Sequence, residues 1–248
     1  MARKRSKKRG YSIAVLVGFD EQMIHFWKIY SQRFKFFKRL SLPRKWKNTN
    51  KKAEYNYYED IIDVLRPLIH NGVKSILLAE PPNKDYTMGF LDHVNKHHRW
   101  LIQSKRKNQV SFGQVKGEAS SFKQVRWLLD QEKTLKIMNS ITRREGDLLI
   151  AQLEKILNTE NEKQKVFYGL QELEDLIYMG GKKDDSVTQK VDHLVITDTY
   201  LDEHKQKGRI YRLKQIAENK GLKTKILPEE SSAGSRIQEF GGILAFKK

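Results

Sequence analysis

Along the first forty residues the apolar positions fall with the two-residue period of strands. Tyr11 to Val17, Y-S-I-A-V-L-V, is a dense β-forming run, Gly18-Phe19-Asp20 reads as a turn, and Met23 to Tyr30 forms a second strand. In Arg33 to Leu42, Phe34, Phe36, Leu40 and Leu42 alternate with basic or polar residues until Pro43, which cannot donate to a ladder and ends the strand. Three strands with short connections predict an antiparallel meander. The period then becomes helical: Tyr58, Ile61, Ile62, Leu65 and Leu68 predict a helix over 55–69, with Pro67 kinking its last turn and Asn71-Gly72 stopping it. Val73 to Leu78 reads as a buried strand, Ala79-Glu80-Pro81-Pro82 as a turn, Lys84 to Lys96 as a helix, and the region near Trp100 to Ser104 as a short strand.

Helices dominate the middle of the chain. Ser120-Ser121 caps a predicted helix through Val125, Leu128 and Leu129, and Leu135 to Ile141 prolongs or follows it. Further helices are expected at 145–157 and 162–179, the latter with Val166, Leu170, Leu173 and Ile177 on one stripe. His193 to Asp198 opens a second strand-and-helix series: a helix over 201–219, a strand over 223–227, a short helix over 235–240, and a final strand after Gly241-Gly242. The fold class is therefore mixed α/β (α+β) in two layered domains, a first with a mixed sheet and helices, then a smaller α-β-α sandwich. The expected organisation is a flexible basic tail over 1–10, a first domain over 11–140 and a second over 141–248, with the seam between about Met138 and Glu145.

Charge changes the picture, because it is uneven. The 248 residues carry a formal net charge of +18, and residues 1–56 hold sixteen Lys or Arg against only Asp20, Glu21 and Glu54, a net +13. A localised positive field favours a polyanionic partner. Arg33 to Lys52 alone carries nine basic and no acidic residues, so Arg33, Lys35, Lys38, Arg39, Arg44, Lys45, Trp46, Lys47, Lys51 and Lys52 are the candidate RNA-binding residues. The segment from Arg44 to Lys52 has no hydrophobic repeat and reads as a projecting loop, with Trp46 either a stacking platform or an anchor on its own domain. Arg3, Lys4, Arg5, Lys7, Lys8 and Arg9 form a second basic group, expected to gain order on RNA. The plain alternative is a solvated loop beside an edge strand guarded by lysines.

Chemistry is sparsely signalled. The chain has no cysteine, which excludes disulfides, thiolate metal ligands and thiol nucleophiles and fits an intracellular, cytoplasmic protein. No apolar run has the length of a membrane span, and the basic N-terminus lacks a secretory core. His93, His97 and His98 give an H-x-x-x-H-H pattern without an indicated third ligand, so surface or RNA-facing histidines are preferred to a metal. Asp198 closes an apolar strand and is read as a cap or turn residue. The glycines match neither a dinucleotide nor a P-loop pattern, and no cofactor is expected.

Taken in order, the motifs resemble the central and C-terminal domains of the Pelota and archaeal/eukaryotic class-1 release factor family. The similarity lies in the meander ending L-S-L-P-R-K, the strand-turn I-L-L-A-E-P-P, and S-F-K-Q-V followed by E-G-D-L-L-I-A-Q-L-E-K-I-L. It continues with V-F-Y-G-L-Q-E-L-E-D-L-I-Y-M-G-G, L-V-I-T-D and E-E-S-S-A-G-S-R-I-Q-E-F-G-G-I-L-A-F. The resemblance implies a ribosome-associated factor whose last domain binds an ABC-type recycling ATPase and whose central domain faces the large subunit. Release factors carry a Gly-Gly-Gln loop after the third strand of the meander; here that place is Arg44 to Lys52, with no such tripeptide and no glutamine. No enzyme activity is expected. With only about ten residues ahead of the first strand, an N-terminal decoding domain and stop-codon reading are not expected either.

The expected function is a Pelota-like, non-hydrolytic factor in ribosome rescue, subunit dissociation or recycling. It would bind large-subunit rRNA through the basic loop and the recycling ATPase through its C-terminal domain, and be a monomer when free. Two alternatives stay open: a divergent peptidyl-tRNA hydrolase or RNA nuclease, and a stand-alone RNA-binding or ribosome-assembly protein.

Overall fold

The computed structural model describes residues 10–41, 51–103, 109–158, 166–179 and 191–247. The chain divides into two compact units, Met1–Thr142 and Arg143–Lys248.

In the first unit β1 (Ser12–Phe19), β2 (Met23–Tyr30) and β3 (Arg33–Ser41) form the antiparallel meander. α1 (Lys51–His70) crosses to β4 (Ser75–Glu80), and α2 (Tyr86–His97) precedes β5 (Ser111–Lys116). β4 lies parallel to both β1 and β5, giving the order β3-β2-β1-β4-β5. Strand alternation sends Val15, Val17, Ile24 and Phe26 to one face, where Ile61, Ile62 and Leu65 of α1 and Phe90 of α2 close over them. Leu16, Trp27, Leu77 and Val115 go to the other, under α3 (Phe122–Leu129) and Ile137 and Ile141 of α4 (Glu132–Leu157). β1 and β4 are covered on both faces, which is why A-V-L-V and I-L-L-A run unbroken rather than alternating.

Pairing of β2 with β3 is one to one except at Phe37. Trp27 faces Phe36 and Phe26 faces Lys38, so Phe37 is the extra residue of a β-bulge.

Several expectations are corrected here. Trp100 and Leu101 lie in a short turn of 3-10 helix, Arg99–Leu101, not in a strand; Leu101 is fully buried, so the apolar signal reflects burial without extended backbone. The fifth strand is β5, where Gly113 weakens strand propensity yet is required by packing: a Cβ there would stand 2.7 Å from Ile137 Cγ2. Lys51 and Lys52 belong to α1 rather than to a loop, and the helix runs through Pro67 to His70. Glu80 ends β4 and is buried, its carboxylate accepting from the Thr87 backbone N–H at 2.8 Å and from Lys116 Nζ at 2.8 Å. The helices predicted over 135–141 and 145–157 are one continuous α4, with no Gly or Pro between them and the Thr142 hydroxyl donating back to the Met138 carbonyl at 2.9 Å. The boundary between the two units falls inside that helix.

The second unit contains β6 (Val166–Tyr168), α5 (Leu170–Met179), β7 (His193–Thr197), α6 (Asp198–Glu203), α7 (Lys207–Asn219), β8 (Lys223–Leu227), α8 (Ser232–Glu239) and β9 (Ile243–Phe246). The sheet order is β6-β9-β7-β8, with only β7 and β8 parallel. Leu153 and Ile156 of α4 and Ile237 of α8 pack with Val195, Leu227 and Leu244 on one face. The alternate residues Leu194 and Ile196 face the other way, where α5 and α7 bury Leu173, Ile177, Ile210 and Leu213.

Val166 to Tyr168 pair with β9 as a strand rather than opening the helix, because Gly169 at φ +76° breaks the chain direction before α5. The predicted helix over 201–219 is split, His204 taking an extended ψ of 132° between α6 and α7. In S-S-A-G-S, Ser231 caps α8 by accepting from the Gly234 N–H at 3.0 Å. Gly234 lies so close to the preceding turn that a Cβ would stand 1.9 Å from the Pro228 carbonyl oxygen.

Candidate nucleic-acid interface

The described part of the basic segment is β3 and the start of α1. β3 is an edge strand, paired only with β2, and Arg33, Lys35, Phe36, Phe37, Lys38 and Arg39 are exposed on it. Cross-strand register puts Lys35 opposite Lys28 and Lys38 opposite Phe26, on the face covered by α1, whereas Phe34, Phe36 and Arg39 lie on the face of Trp27. The bulge at Phe37 makes this distribution possible, because it shifts the alternation by one residue between Phe36 and Lys38. Cationic groups therefore emerge on both sides of one strand edge. Arg3, Lys4, Arg5, Lys7, Lys8, Arg9, Arg44, Lys45, Trp46 and Lys47 lie outside the described residues.

Aromatic rings interleave with these charges. Lys28 Nζ stands 4.1 Å from the centre of the Phe37 ring, and the Arg33 guanidinium carbon 5.3 Å from that of Tyr30. Burial holds the Lys28 ammonium below its ordinary pKa, and the facing Lys35 adds to this. Two lysines kept so close gain from an anion that neutralises both.

Sequence reading missed the continuation of this surface onto α3. Phe34 stacks on Phe122 with ring centres 4.3 Å apart, and Trp27 meets Phe34, Phe36 and Phe122 edge-on. The Arg126 guanidinium carbon lies over the Phe122 ring, 5.5 Å from its centre, and the next residue, Trp127, is 61% exposed at a hollow bordered by Pro82, Gly117, Lys123 and Gln124. The only sequence signal for this surface was that Phe122 and Trp127 fall off the Val125–Leu128 stripe. A capping box between Ser121 and Gln124 holds the start of α3 in place.

The histidines divide. His93 and His98 are buried rather than surface groups, and both Nε2 atoms lie against Glu59 Oε1 of α1, at 3.0 and 2.7 Å; His97 is exposed. Burial opposes the charge of Glu59, but the hydrogen bonds from His98 and His93 outweigh it and hold the carboxyl below its ordinary pKa. Burial likewise holds His93 below its ordinary value. Asp198 opens α6 and its carboxylate accepts from the Glu229 N–H at 2.8 Å, so it ties two loops together as a turn residue does.

Among the described residues no helix is long and apolar enough to cross a membrane.

Residues 143–248 match the family described as eRF1 domain 3. No curated protein sequence matches the chain. Among solved structures, ribosome-bound archaeal Pelota, described together with ABCE1, aligns over 98% of this chain at 15% identity with a TM-score of 0.54. Dom34 of S. cerevisiae, described as a translation termination-like factor, aligns over 95% at 17% identity with a TM-score of 0.49. The chain spans 63% of the length of each. Residues 143–248 thus carry a domain of the family described as eRF1 domain 3, and the chain shares the fold of archaeal Pelota along nearly all its length.

Proposed function

We propose that this protein is a non-hydrolytic, ribosome-associated factor that binds ribosomal RNA through the first unit and an ABC-type recycling ATPase through the second. The observation that carries the reading is the edge strand β3, which presents Arg33, Lys35, Lys38 and Arg39 beside exposed Phe36 and Phe37 in a chain that shares the fold of Pelota. Phosphate contacts supply sequence-independent affinity, and exposed rings offer stacking to unpaired bases. Lys51 and Lys52 at the start of α1, with the basic residues of 3–9 and 44–47, extend the same cationic group along the sequence. The archaeal Pelota structure, described with ABCE1, supports the second partner. The lack of a Gly-Gly-Gln tripeptide supports a role without ester hydrolysis, since no glutamine is offered at that place in the sequence to orient water.

Sedimentation tests the reading directly. In a sucrose gradient at low salt the protein is expected with particles containing the large subunit, and to leave them as salt rises. Its absence from every ribosomal fraction at low salt overturns the proposal. Release of peptide from peptidyl-tRNA above a buffer control would instead favour the hydrolase alternative. Affinity for isolated rRNA without capture of the ATPase by the full chain would leave a stand-alone RNA-binding protein.

A further inference from the structure

Glu59, His93 and His98 come from three separate places, the middle of α1, α2, and the cap just after α2. Their nearest ligand atoms all lie within 4.8 Å of one another. The His93 and His98 side chains are only 5% and 9% exposed, and that of Glu59 25%, so the cluster has one more open side, that of the carboxylate. Aromatic groups wall it: the Tyr58 ring centre is 5.2 Å and the Tyr55 ring centre 5.0 Å from that of His93, and Trp100 Nε1 donates to His98 Nδ1 at 3.3 Å. The exposed His97 ring lies 4.9 Å from His93 and borders the group.

We propose that these three side chains form a binding site for Zn²⁺ or a similar first-row divalent cation, clamping α1 to the C-terminal end of α2. Two imidazoles and one carboxylate are the donor set that zinc accepts, and they are too few in oxygen for Ca²⁺ or Mg²⁺. Ligand atoms around a tetrahedral zinc sit roughly 3.3 Å apart, given metal–ligand distances of about 2.0–2.1 Å. The observed separations of 3.0 and 2.7 Å from Glu59 Oε1 therefore need to open by only about half an ångström. A water or His97 completes the fourth position.

Binding changes no charge on the imidazoles. Each neutral ring turns its Nε2 lone pair to the metal and carries its proton on Nδ1, and Glu59 exchanges two N–H donors for the cation. For His98 this has a visible consequence. Once its Nδ1 bears a proton it cannot accept from the Trp100 indole, so that hydrogen bond is lost.

The experiment uses the full chain stripped with a chelator and titrated with Zn²⁺ by calorimetry and with Co²⁺ by visible absorption. One equivalent of either metal is expected to bind, Co²⁺ giving the intense d–d bands of four-coordination, and Trp emission is expected to shift in the wild type but not in Trp100→Phe. Glu59→Gln and His98→Gln should each weaken binding at least tenfold, while His204→Ala, in the second unit, should leave it unchanged. If a ligand variant does not fold, the wild type decides alone: added Zn²⁺ must raise its melting temperature. Absence of saturable binding, binding insensitive to both ligand variants, or binding that leaves Trp100 emission unmoved would each overturn the site.

Discussion

The indole Nε1 of Trp27 donates to the backbone carbonyl of Ala119 at 2.8 Å, a buried hydrogen bond joining the meander to the loop that leads into α3. The same Ala119 is pressed onto Gly18, where a Cβ would lie 2.5 Å from its methyl carbon. Trp27→Phe keeps a ring but strands a buried carbonyl, and is expected to cost about 1–3 kcal/mol in chemical denaturation. Gly18→Ala should cost a similar ~1–3 kcal/mol by forcing the loop outward. Stability within about 0.5 kcal/mol of wild type for both variants would contradict this packing.

Replacing Arg33, Lys35, Lys38 and Arg39 together is expected to weaken RNA binding and to flatten its salt dependence by ~0.7 of a slope unit per lost phosphate contact to a single strand. All four are exposed, so each change should leave unfolding free energy within about 0.5 kcal/mol. Filter-binding isotherms over a range of KCl concentrations read the slope, and an unchanged slope removes β3 from the interface.

In the second unit Lys225 Nζ meets Glu145 Oε2 at 2.6 Å, with side chains 12% and 5% exposed. Lys225→Met takes the lysine ammonium away from the buried Glu145 carboxylate and is expected to destabilise by about 3 kcal/mol. Adding Glu145→Leu should recover much of that loss, since a hydrophobic pair of similar volume is often neutral. A double-mutant cycle in urea measures both, and simple additivity would refute the coupling.

Gly234 has no room for a methyl group, because the carbonyl of Pro228 and the Cα of Glu229 occupy it and neither is a movable side-chain tip. Gly234→Ala should therefore cost about 3 kcal/mol or more. A neighbouring Ser235→Ala is the control, expected to change the melting temperature little.

His25 on β2 is buried, which pushes its pKa below the ordinary 6.5; Asp20 raises it and Arg39 lowers it again. The fold thus prefers the neutral ring, the unfolded chain binds more protons below pH 6.5, and this contribution to stability is present above that pH and lost as pH falls through it. Proton NMR should give a midpoint under 6.5 that rises in Arg39→Ala. A midpoint at or above 6.5 in the wild type would contradict the burial.

Much of the fold was legible because period and punctuation agree: β2 and β8 have the bounds that their apolar runs suggest, and Gly, Pro and Ser mark most helix ends. What was not legible depended on distant chain. β5 reads poorly because Gly113 answers to Ile137, and Val166 to Tyr168 look helical until β9 supplies a strand to pair with. Trp100 and Leu101 announced burial, which a turn satisfies as well as a strand. The basic character of β3 was plain from composition, but its aromatic extension needed Phe122 stacked on Phe34. Glu59 was invisible as a partner of His93, 34 residues away, since only the packing of α1 on α2 brings them together.

The extra residue at Phe37 has a genetic consequence. Because every other position of β3 already faces a partner on β2, loss of that single codon would restore an uninterrupted ladder without turning any other side chain over. Such a deletion would subtract local twist and one ring while sparing all four cations, so a binding assay on it would separate the effect of curvature from that of charge.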